Sequence, residues 1–329
     1  MADLSTNYMG FKLKNPIIAA SSGLTDTADK VKNLEINGVG AVVLKSLFEE
    51  QILMEIDNVT ESNIYNNYGD ADDYISYYTR KHHLDNYLKL IEQSKQQVKI
   101  PVIASLNSFT VGKWVDFAER IESAGADALE LNMFILPGDQ KFSGQEIEEI
   151  YFDIIRAVRK NTGLPIAIKL SSYFSGMADS FIKMSHEDIS AMVLFNRFYS
   201  PDVDLDKEEI VSSRIFSLPE ENAMCLRWIG ILSDKVNCDL AASTGIVDGY
   251  DVLKNLMVGA KAVQVASTLY KNSAKHIGLM LQQMESWMVG KGYTSLDEVI
   301  GKLSLKRIEK PMIYERAQFM RYFSSYEKE

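Results

Sequence analysis

Two lysines, Lys45 and Lys169, sit at the ends of short β-forming apolar runs, Ala41–Leu44 and Pro165–Leu170. A lysine closing a strand that is buried on both faces is costly unless a ligand or a counter-charge meets it. Two of them converging on one site would hold an anion or an electron-rich ring. An internal salt bridge and a Schiff-base nucleophile are the other readings of the same residues. Two turns add donors. In Ser243-Thr244-Gly245-Ile246 the glycine lets backbone N–H groups approach a phosphate, and Ala266-Ser267-Thr268 brings N–H groups and hydroxyls. Either turn alone reads equally well as a helix cap, because Ser and Thr favour such positions. After consecutive strands of one barrel, the pair reads as a phosphate site.

The other polar residues that follow apolar runs are Ser21, Ser22 and Gly23; Ser46; Ser105 and Asn107; Asn132; and Asn196 with Arg197. Several alternative chemistries fail on spacing. Gly38-Val39-Gly40 precedes a strand instead of opening a helix, so it is no dinucleotide fingerprint. His82 and His83 are adjacent, His186 and His276 are isolated, and no zinc spacing exists. Asp70–Asp73 lacks the ligand spacing of a calcium loop, and no Gly-x-Ser-x-Gly elbow occurs.

The elements that must position these residues repeat. Eight apolar runs recur: Pro16–Ala20, Ala41–Leu44, Pro101–Leu106, Ala128–Asn132, Pro165–Leu170, Met192–Asn196, Cys238–Ser243 and Lys261–Ala266. Continuous apolar runs mark strands buried on both faces, as in parallel sheets. Between them lie helical periods. Val111–Ser123 puts Trp114, Phe117, Ala118 and Ile121 on one face, and Ile147–Arg159 does so with Ile150, Ile154, Ile155 and Val158. Gly38, Gly125 and Gly259 stand where helices must close before the next strand. Eight such units predict an α/β fold of the (β/α)8 barrel type; an open doubly wound sheet would not repeat so evenly. The expected organisation is a single domain, the barrel over about residues 4–290 and a helical extension over about 291–329. Long stretches at 45–80 and 197–220 follow strand C-termini, where a barrel carries its active site, and are expected to wall it.

Composition bounds the rest. The chain has 329 residues, 46% hydrophobic and 24% charged, enough for a full core. Its net charge of -10 argues against a nucleic-acid or anionic-membrane partner. The apolar runs are far shorter than a bilayer span, and Met1–Lys14 does not read as a signal peptide. Two cysteines, Cys225 and Cys238, form no disulfide framework, and the sequon at Asn58 has no secretion signal to go with it. A cytoplasmic protein is expected, and a homodimer is the expected assembly.

Taken together the motifs resemble those of the dihydroorotate dehydrogenase family, over about residues 4–305. Asn15-Pro16 followed by Ala19-Ala20-Ser21-Ser22-Gly23 is similar to its opening strand and flavin contact, and Lys45-Ser46 to its Lys-Ser pair. Glu130-Leu131-Asn132 resembles the start of its catalytic strand and loop, and Ile168-Lys169-Leu170 its flavin lysine. Thr244-Gly245-Ile246 and Gln264-Val265-Ala266-Ser267-Thr268 resemble its phosphate turns. Gly292-Tyr293 through Gly301-Lys302-Leu303 resembles its closing helix.

The resemblance implies an FMN-dependent oxidoreductase acting on a CH–CH donor, the oxidation of dihydroorotate to orotate in pyrimidine synthesis. It implies FMN contacts at Ala20, Ser21, Gly23, Lys45, Ser46, Ser105, Asn132, Lys169, Thr244, Gly245, Ala266 and Ser267. It places Lys45, Asn132 and Asn196 at the reaction.

One stretch departs. Where the family reads Asn-x-Ser-Cys-Pro-Asn, with Cys or Ser as base, this chain reads Asn132-Met133-Phe134-Ile135-Leu136-Pro137. Ile135 cannot take a proton, Pro137 replaces a substrate amide, and Arg197 stands where the family has Ser. Ser143 and Asp139, in the same loop, are the candidate substitutes for the base. The expectations are therefore turnover of dihydroorotate that is feeble, or a different small anionic substrate. An electron-transfer flavoprotein subunit that docks on a partner protein is a further reading. A lysine-based aldolase barrel is the last.

Overall fold

The computed structural model describes residues 2–48, 69–107, 111–197, 201–311 and 314. The expected eight strands form one closed parallel barrel. They are β3 (Ile17–Ala19), β4 (Ala41–Val43), β6 (Val102–Asn107), β7 (Ala128–Asn132), β8 (Ile166–Leu170), β9 (Ala191–Leu194), β12 (Asp239–Ser243) and β13 (Ala262–Val265). Closure comes from β13 pairing with β3, and β4 with β6. That ring excludes the open sheet. A two-residue strand, β5 (Leu47–Phe48), adds to the edge of β6.

Each barrel strand leads to a helix: α1 (Ala28–Ile36), α2 (Gly69–Gln97), α3 (Val111–Ser123), α4 (Gly144–Arg159), α5 (Met177–Met184), α6 (Asn222–Leu232), α7 (Gly249–Val258) and α8 (Ser267–Asn272). α9 (His276–Lys291) then packs on α7. The helices bury the expected faces: Phe117, Ala118 and Ile121 in α3, and Ile154, Ile155 and Val158 in α4. Gly38, Gly125 and Gly259 have φ of +101°, +89° and +123°, which a residue with a Cβ adopts only under strain.

Strand parity divides the core. Leu129 and Leu131 of β7 point out into the helix layer. The inward residues of the lower layer are small: Ala41, Ala128, Ala167, Ala191, Ala241 and Ala262 pack round Ile18, Val43, Ile103 and Val193. A hairpin that the apolar runs do not announce fills the space left at the N-terminal mouth. Its strands are β1 (Thr6–Tyr8) and β2 (Phe11–Leu13), joined at Met9 and Gly10, both with positive φ. Tyr8, Met9 and Leu13 plug the barrel, and the Met9 N–H donates to Asp239 Oδ2 at 2.8 Å.

The stretch after β9 contains a second hairpin, β10 (Pro201–Asp204) and β11 (Glu209–Ser212), at the C-terminal face. The 45–80 insertion lies outside the described residues except at its two ends, and the expected helical extension does so beyond residue 311 except for Tyr314.

Candidate active site

A cavity of about 260 Å³ opens at the C-terminal mouth of the barrel. Its walls come from the ends of β3, β8, β9, β12 and β13. Of the residues expected at the site, Ala20, Ser21, Lys169, Asn196, Thr244, Gly245, Ala266 and Ser267 line it together.

Lys169 forms the floor. It is buried, and its Nζ donates to Gln264 Oε1 at 2.8 Å. Burial pushes its ammonium below the ordinary lysine range, and the nearby Glu130 charge opposes that fall. At one end stand the two turns. The N–H groups of Gly245, Ile246 and Ala266 donate to no other described residue. Such N–H groups facing a cavity are what a phosphate requires. Gly245 has φ of +73°, and a Cβ there would lie 2.4 Å from Asn222 N and 2.8 Å from Leu218 O. Thr244 also has a positive φ, and its hydroxyl is committed to Phe195 O at 3.1 Å.

The remaining expected residues lie behind or beside this cavity. Asn196 Nδ2 donates to Asn132 Oδ1 at 2.5 Å, so Asn132 backs the wall. Ser21, Ser46 and Ser105 form a hydroxyl chain, 2.9 Å and 2.7 Å per link, ending on Tyr87 through backbone bonds of Ser105. A Cβ on Gly23 would lie 2.7 Å from the hydroxyl of Tyr270, which lines the cavity.

Lys45 departs from the expectation of two converging buried lysines. It is exposed, and it lines a separate cavity of about 310 Å³ with Asp26, Ser46, His83 and Asn86. β4 ends at Val43, so Lys45 has already left the barrel wall.

The loop that follows β7 also differs from the substitutes expected in it. Ile135 is partly buried, and its N–H donates to the Tyr151 hydroxyl at 3.0 Å. Ser143 is spent on the N-cap of α4: its Oγ accepts from Glu146 N at 3.3 Å, and its own N–H donates to Glu146 Oε2 at 2.7 Å. Asp139 is exposed, and its Oδ1 accepts from Lys141 N. Neither lines the cavity.

Three features go beyond the expectations: one residue outside them, one segment of the 197–220 stretch expected to wall the site, and one residue with a different task. Gln264, quoted above only as part of a turn motif, joins the cavity floor to Glu130. Residues Ile215–Ser217 form a strap over the cavity, held by Ser217 N donating to Ser267 Oγ at 3.1 Å and by Phe216 against Tyr270 at 5.7 Å. Arg197, expected at substrate, is occupied by that strap. Its Nε donates to Glu221 Oε1 at 3.1 Å, and its Nη1 to the carbonyls of Arg214 and Ile215.

No helix among the described residues is long and apolar enough to cross a membrane, and no three of their His, Cys, Asp or Glu side chains group to hold a metal ion.

Residues 3–288 match the family model described as "Dihydroorotate dehydrogenase". Among curated proteins, the chain is 27% identical over 308 residues to the "Dihydroorotate dehydrogenase B (NAD(+)), catalytic subunit" of Thermoplasma acidophilum, covering 92% of this chain and 99% of that one. The proteins of the same description from Thermoplasma volcanium and Pyrococcus abyssi are 26% and 24% identical, again covering 92% or more of this chain and 99% or more of theirs.

Proposed function

Because the chain belongs to the dihydroorotate dehydrogenase family, we propose that it is an FMN-dependent oxidoreductase whose substrate is not dihydroorotate. The observation that carries the reading is the division of its site. Cofactor-side groups converge on one cavity, whereas position 135 holds a side chain with no proton acceptor.

The residues present fit FMN. The N–H groups of Gly245, Ile246 and Ala266 and the Ser267 hydroxyl would hold the phosphate, and Gly245 leaves that turn close to α6. Ala20 and Ser21 would carry the ring, with Lys169 beneath its edge as a fixed positive charge. Bound there, FMN would supply a ring that takes up and returns a hydride. The strap at Ile215–Ser217 would exclude water from the phosphate side. Asn196 and Asn132 would offer amide groups to a substrate.

No described side chain of the loop after β7 reaches the cavity as a base. Positioned proton abstraction contributes typically 10²–10⁴-fold in rate, so dihydroorotate turnover is expected to be slow. A small anionic substrate is supported by Lys169 and no longer by Arg197, whose charge is already paired.

The experiment is an absorbance spectrum of the purified protein with and without added FMN. Uptake with a Kd in the micromolar range or tighter, about 8 kcal/mol, supports the reading; a protein that stays colourless with FMN present overturns it.

A second reading, a subunit that passes electrons to a partner protein, is favoured by the relatives, whose description as a catalytic subunit implies a second chain. It predicts a flavin that a chemical reductant such as dithionite reduces, that a partner protein then reoxidises, and that no small CH–CH donor reduces.

A further inference from the structure

At the cavity floor, three long polar side chains rise from the barrel interior where the layer beneath them is alanine. Glu130, Lys169 and Gln264 are 1%, 6% and 2% exposed. They belong to β7, β8 and β13, each two residues above an inward alanine: Ala128, Ala167 and Ala262. Lys169 Nζ donates to Gln264 Oε1 at 2.8 Å, and Gln264 Nε2 donates in turn to Glu130 Oε2. The amide is thereby oriented, carbonyl toward the ammonium and amino group toward the carboxylate. Glu130 Oε1 meets no partner among the described residues.

A buried carboxylate with one oxygen unsatisfied is expensive. Among the described residues it is compensated by the Gln264 amino group on its other oxygen and by the ammonium on the far side of the amide. The Glu130 charge in turn holds up the Lys169 ammonium against burial. Among the described residues, the hydroxyls of Tyr8 and Tyr87 also feel Glu130. Burial keeps both well above the ordinary tyrosine range, so they stay neutral while Lys169 titrates.

We infer that Glu130, acting through Gln264, is a positioning residue that aims the Lys169 ammonium at the cavity and offsets its charge, limiting how strongly the site favours negative charge in a bound ring. The inference rests on the FMN reading for its consequence and not for its geometry, so it is tested at both levels. The variant is the near-isosteric Glu130→Gln, which keeps the volume and a hydrogen-bonding end and removes the charge. Gln264→Met breaks the link without touching either charge.

In the FMN-free protein, the Lys169 ¹³Cε resonance is titrated by NMR. Both variants should lower its midpoint by a pH unit or more, a tenfold change in proton affinity. In the FMN-loaded protein, at a pH where Lys169 is charged in both forms, Glu130→Gln should raise the midpoint potential. A tenfold gain in the preference for the reduced over the oxidised ring is about 30 mV for a two-electron couple. In a Lys169→Gln background, the same substitution should lose most of that effect.

An unchanged Lys169 titration in Glu130→Gln overturns the inference. So does a potential shift of equal size with and without Lys169, because Glu130 would then act directly on the ring. If Glu130→Gln does not fold, Gln264→Met decides by the same two measurements. If the protein takes up no FMN, the NMR titration alone decides, and only the cofactor reading falls.

Discussion

Arg197 and Glu221 form an ion pair, Nε to Oε1 at 3.1 Å, across the base of the strap that covers the cavity. The same guanidinium donates to the carbonyls of Arg214 and Ile215 at 3.0 Å, and Glu221 accepts from Leu218 N. The planar fork of Arg suits several acceptors at once, which a lysine could not match. The pair therefore clamps residues 214–221 over the end of the cavity where the Thr244 and Ala266 turns stand, leaving Arg197 little capacity to read a substrate.

The first prediction follows from that clamp. Arg197→Ala and Glu221→Ala should both speed FMN release, each by up to about tenfold, about 1.4 kcal/mol. The measurement is stopped-flow flavin fluorescence. A substrate-reading Arg197 would behave otherwise: its loss would raise KM, and the loss of Glu221 would not.

Gly245 and Thr244 are adjacent, both at positive φ, and should respond to substitution in opposite ways. A side chain on Gly245 meets the chain's own backbone at Asn222 and Leu218, before any ligand is considered. Gly245→Val should abolish FMN occupancy and lower the melting temperature of the FMN-free protein. Thr244→Gly relieves a β-branched residue of about 1–2 kcal/mol of left-handed strain and gives up one hydrogen bond of about 1 kcal/mol. Its stability should stay within about 1 kcal/mol of the parent, with FMN retained. Thermal melts and flavin content, measured side by side, check both. Full flavin in Gly245→Val would move the phosphate elsewhere.

The barrel was legible because its strands are short, mostly apolar runs and three of its helices close at glycine. Gly38, Gly125 and Gly259 each mark a real left-handed turn. What sequence could not convey was which end of a polar side chain meets what. Glu130 and Gln264 are 134 residues apart and touch only because β7 and β13 face each other across the barrel. Lys45 and Lys169 follow equivalent runs, yet β4 stops at Val43 and releases Lys45 to solvent, whereas β8 runs on to Leu170 and keeps Lys169 inside. The Thr6–Leu13 hairpin escaped notice because each of its strands has three residues, too few for a period. The role of Ser143 was open to a closer reading, since Ser143-x-x-Glu146 is a capping box in plain sequence.

The third prediction concerns alkaline stability. Burial pushes the Cys225 thiol up to about 11 and the Cys238 thiol to about 12, against 9.0 unperturbed. Cys225 Sγ also donates to Ser243 O at 2.8 Å, directly behind the Thr244 turn. Both pKa values are higher folded than unfolded. Their stabilising contribution is therefore complete below pH 9 and is lost as pH rises toward 11 and 12, because the unfolded chain ionises first. At pH 10 the loss is about 1 kcal/mol per thiol. Urea midpoints at pH 8 and pH 10 measure it. Cys225→Ser keeps a donor to Ser243 O and cannot ionise in this range, so it should shrink the alkaline loss. An alkaline loss unchanged in Cys225→Ser would show that this thiol ionises alike in the folded and unfolded states.

The last prediction is that dihydroorotate reduces the bound flavin slowly, and that restoring a thiol will not rescue it. Ile135 offers no proton acceptor, and its backbone N–H is tied to Tyr151. Ser143 caps α4 and Asp139 stands in solvent, so neither can serve without rebuilding the loop. Binding is expected to fail separately. With Pro137 in place of an amide, polar edges of the pyrimidine go unpaired, at about 1–3 kcal/mol for each buried group. Ile135→Cys supplies a thiol but leaves the loop and the missing amide as they are. Anaerobic mixing with dihydroorotate, followed at the flavin absorbance, should show bleaching over minutes or longer in both the parent and Ile135→Cys. Stoichiometric bleaching within seconds at micromolar substrate in the parent would refute the claim. Rapid bleaching in Ile135→Cys alone would show that the base was the single missing part and that the pocket still fits dihydroorotate.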